Sequence, residues 1–245
     1  MIYLYDDTFE GLLNLINYLF KNKIVPLNIK ESNYVPNLLE NTFYPTLEKD
    51  DKLINRIIEK IGANSFMTIC HMYLSSYNDK ELLIYNFLFN ALKYKKNIIY
   101  MRNIESVSMC LKISKYVTHE AHKFKGFVRF KELNNGVLCA SIEPENNILI
   151  MLSNHFKNRL KNENWMIIDK KRHLLSYYDK NNFYIVEEDL YKLNLNYRED
   201  EYEDLWKSFY KTVGIKERKN ERCRMNFMPK KYWKYIVEVS DEKSS

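Results

Sequence analysis

Five polar residues in the middle of the chain have the side-chain types that proton-transfer chemistry uses: Glu120, His122, Arg129, Glu143 and His155. If they converged, His122 or His155 would carry a proton near neutral pH and a glutamate would orient it, while Arg129 clamped a developing oxyanion or a phosphate. Their spacing alone does not bring them together. Residues two apart on a helix do not share a face, so Glu120 and His122 diverge unless the helix ends there. A histidine at the end of an amphipathic helix serves equally as a cap or a core residue. Two His and two Glu also have the donor types for a metal, but no HExxH or other compact ligand pair fixes a geometry. Neither a metal nor another cofactor is expected. Cys70, Cys110, Cys139 and Cys223 lie far apart with no CxxC, and read as buried thiols.

A second kind of chemistry is concentrated between Leu205 and Ile236, which hold ten Lys/Arg and two Asp/Glu. Residues 1–100 carry eleven of each sign and residues 101–204 carry sixteen of each, so the excess of positive charge is local. Basic residues interleaved with Trp206, Phe209, Tyr210, Tyr232, Trp233 and Tyr235 suit phosphate neutralisation and base stacking. Arg218, Lys219, Arg222 and Arg224 fall in a connector where they would reach a nucleic-acid backbone. In MPKKYWKYI, Pro229 suits the first turn of a helix, with Lys230, Lys231 and Lys234 projecting around Tyr232, Trp233 and Ile236. The same residues are consistent with a helix whose lysines are solvated and whose Trp233 seals it onto a sheet.

The elements that must position these groups follow from periodicity. MIYLY alternates as a strand, and Asp6 to Thr8 offer caps for a helix over 9–21 with Leu12, Leu13, Ile16 and Leu19 on one stripe. A loop from Pro26 to Pro45 leads to helices around 53–61, 64–76, 79–95 and 103–123. At Phe127 the period changes to two. FVRFKEL, Asn134-Asn135-Gly136 and VLCASIE read as a hairpin with a tight turn. A short helix at 151–161 leads to three strands, WMIID, LLSYY and FYIVEE. The predicted fold class is therefore α+β: an N-terminal strand and an α-helical layer packed with a roughly five-stranded antiparallel sheet crossed by one helix, then C-terminal helices. The N-terminal strand either joins that sheet or stands apart. The chain reads as a single domain, 1–245, with a secondary division between a mainly helical 1–124 and a β-rich 125–245.

Composition sets the outer limits. With 46% hydrophobic and 29% charged residues the chain is globular, and its 245 residues are enough for a substantial core. The apolar runs are short and interrupted, and MIYLYDDTFEGLL has no basic n-region or small-residue cleavage site, so a cytoplasmic protein without membrane contact is expected. No helix-turn-helix, KH, RRM, Walker A or GxGxxG signature is present, which disfavours sequence-specific reading and nucleotide hydrolysis.

EAHKFKGFVRF, IEPENNIL, NHFKNRL, NWMIID, EDLWKSFY and MPKKYWKYI, together with the YDDTFEGLL opening, resemble an uncharacterised domain family described as "probable DNA metabolism protein". Its landmarks stand here as Glu120, His122, Lys123, Phe127 to Phe130, Glu143, Pro144, His155, Phe156, Met228, Pro229, Tyr232, Trp233 and Lys234. The resemblance spans most of the chain. Genes of that family often stand beside one for a radical SAM protein linked to DNA repair, and the domain is also found fused to uracil-DNA glycosylase-like domains. This chain looks like the stand-alone partner form, having no glycosylase domain and no radical SAM cysteine cluster. The resemblance implies a DNA repair or DNA metabolism accessory protein that binds DNA, single-stranded or damaged, and works with a radical SAM partner. The alternatives are an enzyme acting on a damaged or modified base through the Glu/His/Arg cluster, and a subunit that only docks proteins.

Overall fold

The structure, a computed structural model, describes residues 1–47, 50–187, 228–229, 232–233 and 236. The chain divides into two compact units, Met1–Thr118 and His119–Ser245.

In the first unit β1 (Ile2–Tyr5) is followed by α1 (Phe9–Lys21), β2 (Asn28–Glu31) and β3 (Thr42–Phe43). Both neighbours pair parallel to β1, giving the order β2-β1-β3. The N-terminal strand therefore belongs to a small sheet of its own. Thr8 caps α1 as its side chain and spacing predict: the backbone is extended there, and Thr8 Oγ1 accepts from Gly11 N at 2.9 Å. Asp6 Oδ1 in turn accepts from Thr8 N and Thr8 Oγ1 at 3.2 and 2.7 Å. The stripe Leu12, Leu13, Leu15, Ile16 and Leu19 is fully buried. β2 and β3 lie inside the segment expected to be a loop. NIKE has one apolar side chain and TF is two residues long, too little for a period-two signal, and only pairing with β1 makes them strands.

Four helices follow: α2 (Leu53–Ile61), α3 (Ala63–Leu74), α4 (Lys80–Tyr94) and, after a 3-10 turn at Lys95–Tyr100, α5 (Glu105–Phe127). The expected helical layer is present. The division between the two units falls within α5. Cys110 is buried as expected and Cys70 is half-buried; burial pushes their thiols up to about 12 and about 11, which keeps them unreactive. His71 on α3 shares a 2.8 Å hydrogen bond with Ser114 Oγ on α5, and burial lowers its pKa from the ordinary 6.5. A depressed imidazole takes its proton more readily in the unfolded chain. The stability it contributes is therefore whole above about pH 6.5 and is lost as pH falls through the folded value. His71→Asn keeps a side-chain hydrogen-bonding group near Ser114 and removes the titration. Urea midpoints at pH 7 and pH 5 should fall further in the wild type than in His71→Asn; equal falls would exclude His71 as the source.

The second unit is a five-stranded sheet in the order β4-β5-β6-β7-β8, with β4 (Lys131–Glu132), β5 (Leu138–Ile142), β6 (Trp165–Asp169), β7 (Leu174–Tyr178) and β8 (Phe183–Glu187). Asn134-Asn135-Gly136 closes the β4–β5 hairpin, with Gly136 at φ +80 and Leu133 N bonded to Val137 O at 2.9 Å. The strand expected from Phe127 is shorter than its pattern, because α5 runs through Phe127 and pairing begins only at Lys131. The sheet is mixed rather than antiparallel. α6 (Leu149–Arg159) is a crossover, and a strand that returns through a crossing helix enters alongside its predecessor in the same direction, so β5 and β6 pair parallel from Leu138↔Trp165 to Ile142↔Asp169. All the other pairs are antiparallel.

α6 covers one face of this sheet. Ser153 and Ser176 share a buried 2.7 Å hydrogen bond, and Phe130 meets the Phe156 ring edge-on at 5.0 Å. Trp165 is fully buried and stacks on Tyr178 at 5.2 Å. The opposite face carries a smaller cluster of Leu133, Cys139 and Ile168. Of the C-terminal segment expected to be helical, the described residues show one turn, with Tyr232 N bonded to Pro229 O at 3.0 Å. The remainder of that expectation lies outside the described residues. Among the described residues no helix is long and apolar enough to cross a membrane.

Candidate functional site

Parallel strands joined by a helix place loops at their carboxyl ends, where open α/β sheets hold ligands. In the second unit these are Glu143 to Ile148 after β5 and Lys170 to His173 after β6. Both are held by buried charges. Asp169, at the end of β6, is fully buried and accepts from Lys171 N at 3.0 Å, Arg172 N at 3.3 Å and Arg172 Nη1 at 3.0 Å. Burial raises the Asp169 carboxyl, and Arg172 pulls it part of the way back. Arg172 also donates to Pro144 O at 3.1 Å and to Glu145 O, so one guanidinium ties the two loops together.

From the other side Glu120 of α5 holds the same loop. It is 4% exposed, and its carboxylate accepts four hydrogen bonds: Glu145 N at 2.9 Å, Asn146 N at 2.9 Å, Asn146 Nδ2 at 2.6 Å and Tyr232 OH at 3.1 Å. The Tyr232 ring is edge-on to Phe124 at 5.0 Å and tilted against Phe127 at 5.5 Å. Burial, and then the Glu120 charge, raise its hydroxyl pKa. Trp233 Nε1 donates to Met228 O at 2.8 Å. Residues more than a hundred positions apart thus form one brace around the β5–α6 loop.

A family model described as a domain of unknown function (DUF4130) matches residues 78–238, about two thirds of the chain. The chain belongs to this family. The DUF4130 match contains every member of the brace. No curated protein and no solved structure matches the chain.

Within this DUF4130 protein the five residues singled out for proton transfer range from buried to exposed. Glu120 is buried, and its hydrogen bonds go to the loop amides, Asn146 and Tyr232, none to the other four. His122 is exposed, two residues along α5 and so on another face. Arg129 Nη1 donates to Gly126 O at 2.6 Å, a hydrogen bond to one of the last carbonyls of α5. Glu143 is exposed beyond the end of β5. His155 is half-buried on α6 against Phe156, its pKa lowered by burial and then by Lys125 and Arg159.

Of the residues expected to bind nucleic acid, Tyr232 and Trp233 are 8% and 3% exposed; the Tyr232 ring packs on Phe124 and Phe127, and the Trp233 indole N–H is bonded to Met228 O. Arg218, Lys219, Arg222, Arg224, Lys230, Lys231 and Lys234 lie outside the described residues. Asn146, Asp169 and Arg172 are the positions sequence reasoning missed. IEPENN and IIDKKRH do place a carboxylate, an amide and an arginine at strand ends, where buried polar groups must find partners.

The DUF4130 match leaves the N-terminal strand and helix outside it, and these carry a cleft of about 740 Å³ beside the carboxyl end of β1. Asp6, Glu10, Asp50 and Asp51 line it with Asn14 and Tyr44. Arg56 pairs with Asp50 and holds that carboxyl below its usual range. Among the described residues no group of three or more His, Cys, Asp or Glu is placed to hold a metal ion.

Proposed function

We propose that this protein is a nucleic-acid-binding accessory protein of DNA metabolism, acting with a radical SAM partner through the basic segment Leu205–Ile236. The observation that carries the reading is the anchoring of that segment: Tyr232, flanked in sequence by Lys230, Lys231 and Lys234, is held by Glu120, Phe124 and Phe127. A segment with ten basic and two acidic residues, tied to α5 through Tyr232, suits phosphate contacts better than proton transfer. The buried Glu120 supports this too, since a carboxylate already accepting four hydrogen bonds is a poor general base. The radical SAM partner rests on the sequence resemblance alone.

Fluorescence anisotropy with labelled single-stranded, duplex and uracil- or abasic-containing DNA at two salt concentrations tests the proposal. Salt-sensitive binding should be lost when Lys230, Lys231 and Lys234 are changed to Ala. Absence of binding at either salt, with and without the radical SAM partner, would overturn it and favour a subunit that only docks proteins.

A further inference from the structure

The outward face of α5 carries a concentration of charge that the balanced totals of the flanking sequence conceal. Between Ser106 and Lys131 there are six Lys/Arg and a single acid, Glu120, which is buried. Lys112, Lys115, Tyr116, His119, His122 and Lys123 recur at helical spacing on one stripe. All are exposed except Lys123, which is half-buried. The apolar residues Val107, Cys110, Ile113, Val117, Ala121 and Phe124 occupy the opposite side, so the stripe is the face α5 turns to solvent.

Exposed helices usually intersperse acids and bases, and Lys30, Arg56 and Arg172 each have a carboxylate partner. Among the described residues Lys112, Lys115 and Lys123 have none. Attraction to the negative end of the helix dipole accounts for a cation in the last turn, such as Lys125, but not for Lys112 and Lys115 in the middle of a 23-residue helix. Three lysines on one stripe with no carboxylate partner among the described residues repel one another, and an anionic ligand relieves that repulsion. At 1.5 Å per residue, Lys112 to Lys123 spans roughly 16 Å, the length of about five phosphates of one strand at 3.4 Å each.

We infer that the outward face of α5, through Lys112, Lys115 and Lys123, is a phosphate-backbone contact surface for a nucleic-acid strand. This rests on the nucleic-acid reading above and adds to it a contact surface separate from the C-terminal lysines.

The test compares wild type, a Lys112→Gln/Lys115→Gln/Lys123→Gln variant, and a control of equal net charge, Lys21→Gln/Lys23→Gln/Lys60→Gln, for anisotropy with single-stranded DNA across a salt series. The α5 variant should bind more weakly, with a slope of log K against log salt shallower by about 2, from about 0.7 per lost contact, while the control keeps the wild-type slope. Bound DNA should also protect Lys112, Lys115 and Lys123 of the wild type from acetylation, a readout independent of any variant. Wild-type affinity and slope in the α5 variant, with no protection, would overturn the surface and leave the nucleic-acid reading standing. No DNA binding by the wild type would remove both.

Discussion

Glu120→Gln is expected to destabilise the protein by about 3 kcal/mol, with a matching fall in the urea midpoint, because hydrogen bonds to a buried charged group are each worth about 1.5–3 kcal/mol and unsatisfied donors cost as much. Oε1 accepts from Glu145 N and Tyr232 OH, and Oε2 from Asn146 N and Nδ2. An amide puts a donor in place of one of these oxygens. Whichever way it is turned, at least one backbone N–H faces another N–H. Glu120→Ala removes all four acceptor interactions and should cost more. Tyr232→Phe gives up one of these hydrogen bonds while keeping the ring packed against Phe124 and Phe127, and should cost about 1.5 kcal/mol. If Glu120→Gln abolished function with no change in the midpoint, the carboxylate would be chemical rather than structural.

Arg172→Ala is expected to cost about 3–5 kcal/mol, the usual result of stranding one member of a buried ion pair. It leaves the fully buried Asp169 without its cation and removes the donor to the Pro144 and Glu145 carbonyls. The pH dependence has a definite sign. Burial already raises the Asp169 carboxyl, and losing Arg172 raises it further. A carboxyl raised in the folded state favours folding in its protonated form, so the cost of Arg172→Ala is largest at neutral pH and shrinks as pH falls toward the unfolded value of about 3.9. Asp169→Asn in the Arg172→Ala background should recover part of the loss at pH 7. A pH-independent cost with no recovery would mean that the guanidinium acts only through the two carbonyls.

Both predictions concern residues that hold a loop in place, and they show where a sequence is informative about this protein. Glu120 stands out in the sequence as a polar residue on a helix, but its role depends on Asn146 and Tyr232, which are 26 and 112 residues away. The same dependence on distant partners governs Tyr232 and Trp233. Their composition suits base stacking, but burial against Phe124, Phe127 and the Met228 carbonyl occupies them. The basic face of α5 was legible in principle. Summing charge over residues 101–204 concealed it, because acids elsewhere in that window balance the total without sharing the helix face.

By itself the sequence determined the local elements: the Thr8 cap and buried stripe of α1, the helical layer, the Asn134-Asn135-Gly136 turn and the strands after α6. Each is set by interactions within about four residues or by a repeating apolar period, which one chain segment contains in full. Only the tertiary structure decided that β2 and β3 are strands, that β5 and β6 run parallel, that α5 continues through Phe127, and that Glu120, Asn146, Arg172 and Tyr232 enclose one loop. These depend on which distant groups meet, and a buried donor, acceptor or unpaired edge has no fixed role until its partner is in place.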